Sequence, residues 1–265
     1  MSFFTAPFQK IYRYRKILFR TTWSEIRKKY AGSALGVIWA FLYPLLFLGV
    51  YALIYAYVLR AAYLDLSTGE YILVIFCGLI PFLGFSEAIN TGTQSVTANS
   101  GLIKNTMFPI ELIPVRTVFC AQLTHGAGIV ILFAVLLLDG RWNVCMPMIF
   151  FIWMLQIMME TGIAWILSSI GVVMKDLQNV IGILVIMLMM ISPIAYPVSS
   201  IPENLRTFMG INPMYSFIVS SQKVLLDAQL PEPSEWIGMF VWGPVFFWAG
   251  YQFFIKMKRV FVDNV

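Results

Sequence analysis

Five aromatic residues stand four apart along one apolar stretch: Trp39, Tyr43, Phe47, Tyr51 and Tyr55. On a helix a four-residue step overshoots one turn by about 40°, so the rings form a slowly curving ladder on one face. Such a ladder suits a sliding sugar chain, because each ring offers an apolar surface and each Tyr adds a hydroxyl. The same spacing also serves rings that pack against neighbouring helices or collect at a membrane interface. Two acids and one histidine also lie in apolar surroundings: Glu87, Glu160 and His125. A charged group at mid-bilayer costs about 2.5–3.5 kcal/mol unless it is paired, protonated or facing water. Glu87 and Glu160 therefore read as pathway-lining or inter-helix contacts, or as protonated acids bonded to a neighbouring helix. His125 is an available partner for either.

Other chemistry finds no residues to carry it. His125 is the only histidine, and there is no Ser-His-Asp or Cys-His set, no HExxH motif and no phosphate-binding loop. Cys77, Cys120 and Cys145 lack CxxC or Cys/His spacing, so they read as small buried residues, with no metal site. An enzyme acting on a lipid-linked sugar is thus disfavoured. A proton-coupled carrier using Glu87, Glu160 and His125 is a rival, as is a membrane scaffold.

The elements that position these residues are membrane helices. The 265-residue chain is 60% hydrophobic and 12% charged, half the charge of a typical soluble domain. Residues 8–30 read as a cationic amphipathic helix. Phe8, Ile11, Tyr12, Leu18, Phe19, Trp23, Ile26 and Tyr30 share one face, Arg13, Lys16, Arg20 and Arg27 the other, and Arg15 breaks the pattern. This composition suits a helix lying in the interface against membrane lipids. No cleavable signal is expected, because the first 35 residues lack a short apolar core with a cleavage site.

Six spans are expected at 36–59, 71–92, 115–138, 146–173, 178–195 and 236–256, making one all-α, polytopic membrane domain. Pro44 is expected to kink the first. Asp139-Gly140-Arg141 and Lys175-Asp176 read as tight turns, with Asp176 capping the fifth span. With both termini on one side, that side carries 14 Lys/Arg and 4 Asp/Glu, against 4 and 7 on the other. Both termini are therefore expected in the cytoplasm. Two connectors are more than turns. Residues 95–110 are long enough for a cytoplasmic helix. Within 196–234, Pro202 and Gly210 bracket one short helix, and 214–226 makes a second, apolar enough to be a re-entrant element in the outer leaflet. The methionines between Met146 and Met190 read as soft packing, or as a moving helix interface. No internal repeat is visible, which counts against most secondary transporters.

The segment Tyr30-Ala-Gly-Ser33-Ala-Leu35-Gly36-Val-Ile-Trp39, then Pro44, resembles the start of the first span in bacterial polysaccharide-export permeases. These are membrane subunits of type-two ABC exporters serving O-antigen, capsule and teichoic-acid export. Asn99-Ser-Gly-Leu102-Ile103-Lys104, with Phe108-Pro109 and Pro114, resembles the family's coupling connector. Lys175-Asp176 resembles its turn between spans four and five, where many members carry Arg-Asp. A Lys there loses the bidentate geometry of Arg. Ser192-Pro193-Ile194 with Tyr196, then Asn212-Pro213, resembles the lead into its external gate helices.

The resemblance implies a half-transporter. Two copies would form the channel, and two copies of a separate ATPase subunit would bind ATP and Mg, with no cofactor in this chain and no nucleic acid partner. Asn99, Leu102, Ile103, Lys104, Phe108 and Pro109 would seat on the ATPase. Trp39, Tyr43, Phe47, Tyr51, Tyr55 and Tyr196 would line the path of a lipid-linked glycan. ATP-driven closure would tilt the first and fifth spans, and the 202–226 helices would seal the exit at rest. A type-two exporter of a lipid or drug shares this architecture without needing the ladder.

Overall fold

The computed structural model describes residues 5–58, 66–101, 108–198, 201–202 and 209–264. Their regular structure is helical. In chain order the elements are α1 (Ala6–Arg13), α2 (Arg15–Tyr30), α3 (Trp39–Ala52), α4 (Thr68–Thr93), α5 (Ser95–Ala98), α6 (Leu112–Leu138), α7 (Met148–Val173), α8 (Leu177–Ile191), α9 (Tyr215–Gln222), α10 (Pro233–Phe240) and α11 (Phe246–Asn264). A 3-10 turn, Gly36–Ile38, leads into α3, and π turns extend α3 (Leu53–Val58), α9 (Lys223–Asp227) and α10 (Val241–Val245).

Four helical stretches among the described residues are long and apolar enough to cross a membrane: Gly36–Tyr55, Thr68–Thr93, Leu112–Leu138 and Met148–Val173. α8 is shorter than the 178–195 expected. Its 15 residues span about 22 Å, because the chain leaves the helix at Ser192, just before Pro193. The last helical run is longer than 236–256. It starts at Pro233, a favoured first-turn residue, and continues past a π turn containing Pro244 to Asn264. α4 starts at Thr68 because Ser67 and Glu70 form a reciprocal cap: Glu70 N–H donates to Ser67 Oγ at 3.3 Å and Ser67 N–H to Glu70 Oε2 at 3.0 Å. Asp176 occupies the N-cap of α8, but its side chain accepts no capping hydrogen bond. At Asp139-Gly140-Arg141 the tight turn is present. Gly140 adopts φ 68°, and Arg141 N–H reaches back to the Leu136 carbonyl at 2.9 Å.

The core is built around α4. Of its most apolar stretch 83% is buried, against 22% for Gly36–Tyr55. α4 packs on α6, α7, α8 and α9, and Ile75, Leu79, Phe82, Phe217 and Ile218 are fully enclosed. The apolar helix at 215–222 is thus part of the main core; Ile218 and Gln222 press on Gly78 of α4. α7 and α11 approach backbone to backbone. A Cβ on Gly250 would fall 2.1 Å from the Gly162 carbonyl oxygen, so only glycine permits this crossing. α3 and α8 differ from these: Tyr43, Leu46 and Val50, and Ile183, Ile186 and Met187, stand exposed.

The basic N-terminal helix expected over 8–30 is two helices. Tyr14, at φ −100° and ψ 11°, breaks the run between α1 and α2. The expected apolar face divides as well. Leu18 and Ile26 are buried against the body, whereas Tyr12, Phe19 and Trp23 face outward. Arg15, the misplaced charge, lies over the Tyr12 ring at 4.0 Å and donates to the Tyr12 carbonyl at 3.0 Å.

Candidate functional site

The aromatic ladder is continuous. Ring centroids stand 6.1 Å apart from Tyr43 to Phe47, 6.1 Å from Phe47 to Tyr51 and 4.7 Å from Tyr51 to Tyr55. The last step is the tightest, and it falls where α3 passes into the π turn Leu53–Val58. Tyr51 and Tyr55 lean on the core, and Tyr71 and Tyr196 stand close enough to Tyr55 to interact with it. Tyr71 donates to the Ala195 carbonyl at 2.7 Å, and the Tyr196 hydroxyl donates to the Ile191 carbonyl. At the opposite end Trp39 and Tyr43 form a wall of a cavity of about 490 Å³, shared with Lys29, Tyr30, Glu87 and Asn90.

Glu87 lies near the end of α4 and takes the ammonium of Lys29 from α2. It is an inter-helix ion pair at the margin of the bundle. Burial of the Lys29 ammonium, which alone lowers its pKa, is outweighed by the Glu87 charge and hydrogen bond, and the net shift is upward. Glu160 is fully buried. Its Oε1 accepts from Gln156 Nε2 at 2.7 Å and its Oε2 from Gln122 Nε2 at 2.5 Å. Gln156 also donates to the Pro81 carbonyl at 2.8 Å, and Gln122 Oε1 accepts from Trp153 Nε1 at 2.6 Å. This network joins α4, α6 and α7.

His125 partners neither acid. It is buried beside Trp153 and against Gly84, and its Nδ1 has no hydrogen-bond partner among the described residues. By type His125 was available to either acid, but Glu87 is bound to Lys29 and Glu160 to Gln122 and Gln156. A hydrogen-bonded relay from Glu87 through Glu160 to His125, as a proton-coupled carrier would need, is absent among the described residues. Nor does any group of three or more His, Cys, Asp or Glu among them stand close enough to hold a metal ion. The three cysteines are unpaired.

At the end of the bundle carrying the 95–110 connector, charges tie the helices together. Of the expected helix only Ser95–Ala98 is a defined element, followed by helical backbone at Ser100 and Gly101. Leu102, Ile103 and Lys104 lie outside the described residues. Asn99 Oδ1 accepts from Arg116 NH2 at 2.7 Å, and Arg116 NH1 stands 3.6 Å from Glu25 of α2. Phe108 packs into the cluster around Trp165 and Phe247, and the Pro109 carbonyl accepts from Leu112 N–H at 2.9 Å to start α6. Glu111 next to it is buried and receives both Lys10 of α1 and Lys258 of α11. A cavity of about 390 Å³ lies at the same end between Gln94, Thr97, Ser100, Met174, Lys175 and Gln178, so the connector and the 174–177 turn face one space.

Sequence reasoning missed Glu111, Arg116, Lys29, Gln122 and Gln156 as partners. Gln156 and Glu160 were findable as an i,i+4 pair on one helix. Lys10, Glu111 and Lys258 carry no local signal, because only the tertiary fold brings them together.

The chain is a bundle of long apolar helices with basic helices α1 and α2 packed at the end that carries the charge-tied connector. The model of the ABC-2 type transporter family matches residues 18–226, and the chain belongs to that family. It is 25% identical over 260 residues to the O-antigen export system permease protein RfbA of Myxococcus xanthus, covering 97% of this chain and 98% of the relative. Against a Klebsiella pneumoniae RfbA permease it is 26% identical over 246 residues, covering 90% and 91%. Against the polysialic acid transport protein KpsM of Escherichia coli it is 28% identical over 211 residues, covering 78% and 80%.

Proposed function

We propose that this chain is the permease subunit of an ATP-driven exporter that moves a lipid-linked polysaccharide, of O-antigen, capsule or teichoic-acid type, out across the bacterial cytoplasmic membrane. The observation that carries the reading is the unbroken ladder from Tyr43 to Tyr55, rising from the cavity beside Lys29 and Glu87 toward Tyr196 along a helix that buries little of itself. End-to-end similarity to O-antigen permeases supports it. In this reading the chain crosses six times, and the charge balance of the loops then supports both termini in the cytoplasm.

Two copies of this chain form the conduit in this reading. The exposed apolar residues of α3 and α8 support that pairing, since such surfaces are partner or lipid surfaces. Two ATPase subunits bind ATP and Mg and seat the 99–109 connector. The ion pairs at Glu25–Arg116, Lys29–Glu87 and Glu111–Lys258 suit a rigid link that carries a push on the connector into α4, α6 and α11. Opening then separates the two α3 helices along the ladder, and the 202–226 segment closes the outer end at rest.

The test is gentle purification from the native membrane, with the companions identified by mass spectrometry. A stoichiometric partner carrying a phosphate-binding loop supports the reading. Its consistent absence, with transport by the chain alone, overturns it.

A further inference from the structure

We propose that this conduit admits uncharged sugar units and excludes acidic ones, a selectivity that rests on the polysaccharide-export reading and narrows its cargo. The cavity at the foot of the ladder, about 490 Å³, lies within the range of small-ligand sites. Tyr30, Trp39 and Tyr43 bring rings to its lining, and Ser86, Asn90 and Thr124 bring neutral polar groups. Rings and neutral hydrogen-bonding groups in one lining suit the apolar faces and hydroxyls of a pyranose. The charged groups in this lining, Lys29 and Glu87, are bound to each other. The ammonium that would receive a glycan carboxylate or phosphate is already neutralised, and the carboxylate beside it repels such an anion.

The path above repeats this condition over a greater length. No charged residue occurs from Trp39 to Val58 in the ladder helix or from Leu177 to Val198 in α8 and the stretch leading past Tyr196. An anion drawn between tyrosine rings loses water and gains no counter-charge, a loss that recurs with every acidic repeat. A neutral sugar exchanges water for ring faces and tyrosine hydroxyls and meets no such barrier.

The experiment reconstitutes the permease with its ATPase partner in proteoliposomes. The probes are a polymannose and a polysialic acid of matched length on the same lipid anchor, read by translocation and by stimulated ATP hydrolysis. The expected result is transport of the neutral polymer and at least about tenfold less of the acidic one, a ratio set by anion desolvation. Glu87→Gln, which frees the Lys29 charge, is expected to narrow the gap by admitting the acidic polymer at the cavity. Equal transport of both, or preference for the acidic polymer, overturns the selectivity and leaves the export reading standing. Failure of both polymers, with stimulation by a hydrophobic drug or a simple lipid, overturns the export reading itself. Should Glu87→Gln not assemble, the wild-type comparison decides alone.

Discussion

Lys258 Nζ stands 3.2 Å from Glu111 Oε2, joining the last helix to the residue that opens α6. The same carboxylate receives Lys10 of α1, and the Glu111 carbonyl accepts from the indole of Trp165 at 2.8 Å. One buried acid therefore holds four helices at the end of the bundle that carries the connector. Glu111→Gln leaves two lysines facing each other around a neutral amide. It is expected to cost about 1–3 kcal/mol, moderated because both lysines reach water. Lys258→Gln and Lys10→Gln should each cost less, since one cation remains. Thermal unfolding of the detergent-solubilised chain measures this, and unchanged melting for Glu111→Gln would remove the hub.

The crossing of α7 and α11 should reject any side chain. Gly250→Ala places a methyl 2.1 Å from the Gly162 carbonyl oxygen, and Gly162→Ala places one 2.3 Å from that of Phe246. Backbone cannot yield as a flexible side chain does, so the helices must separate, at about 1–3 kcal/mol or more. Gly49→Ala, with open space around it, is the control. Loss of folded protein in size-exclusion chromatography is expected for the first two and not for the third.

Glu160 tests whether the buried network is structural. Glu160→Leu takes one acceptor from each of Gln122 and Gln156, leaving an unmet N–H on each worth about 1–3 kcal/mol, while Gln156 keeps its bond to the Pro81 carbonyl. Glu160→Gln keeps one acceptor oxygen and should be milder. The expected order of melting temperatures is wild type, then Gln, then Leu. A Leu variant as stable as wild type would mean that the network contributes nothing.

Tyr51→Ala with Tyr55→Ala removes two rungs of the ladder and should reduce surface polymer without reducing assembly. Tyr51→Phe with Tyr55→Phe keeps the faces and loses the hydroxyls, so an intermediate defect is expected. Immunodetection of polymer at the cell surface, beside pull-down of the ATPase, separates transport from assembly. Undiminished polymer in the Ala pair would take the ladder out of the mechanism.

Lys223, outside the four candidate spans, joins Glu232 and Glu235 at 2.6 Å each and so ties the π turn after α9 to the start of α10. Burial alone lowers the Lys223 pKa, but the two carboxylates outweigh it and raise it above 10.5. The hydrogen bond from Lys223 lowers the Glu232 pKa below 4.5. A raised lysine stabilises fully below its unfolded value and loses that contribution as pH climbs through the folded one. A lowered carboxylate stabilises above its unfolded value and loses it as pH falls through the folded one. The clamp is therefore complete between about pH 4.5 and 10.5 and weakens outside that window. Hydrogen exchange across 223–235 should show slow opening within it and faster opening on either side, and Lys223→Met should flatten the dependence.

The ladder was legible because a four-residue repeat of rings is a periodicity of one helix. α4, α6 and α7 were legible to within a few residues, since twenty apolar residues in a row have one stable solution in lipid. The break at Tyr14 was not legible. It depends on Leu18 and Ile26 docking onto the body while Tyr12 and Phe19 turn away, which no local pattern encodes. The π turn at the tight Tyr51–Tyr55 step was also hidden, because a π turn is a hydrogen-bond choice made under packing.

By itself the sequence determined the class of chain, its apolar helices and the aromatic ladder. Those are properties of composition and short-range spacing, where each residue acts through neighbours within one or two helical turns. Tertiary structure alone decided which charges meet. It closed Glu87 on Lys29, set Glu111 between Lys10 and Lys258, gave Glu160 its two glutamine donors and left His125 apart from both acids. Such pairings join residues up to 147 positions apart, and burial in low dielectric makes each partner matter while nothing in the local sequence names it.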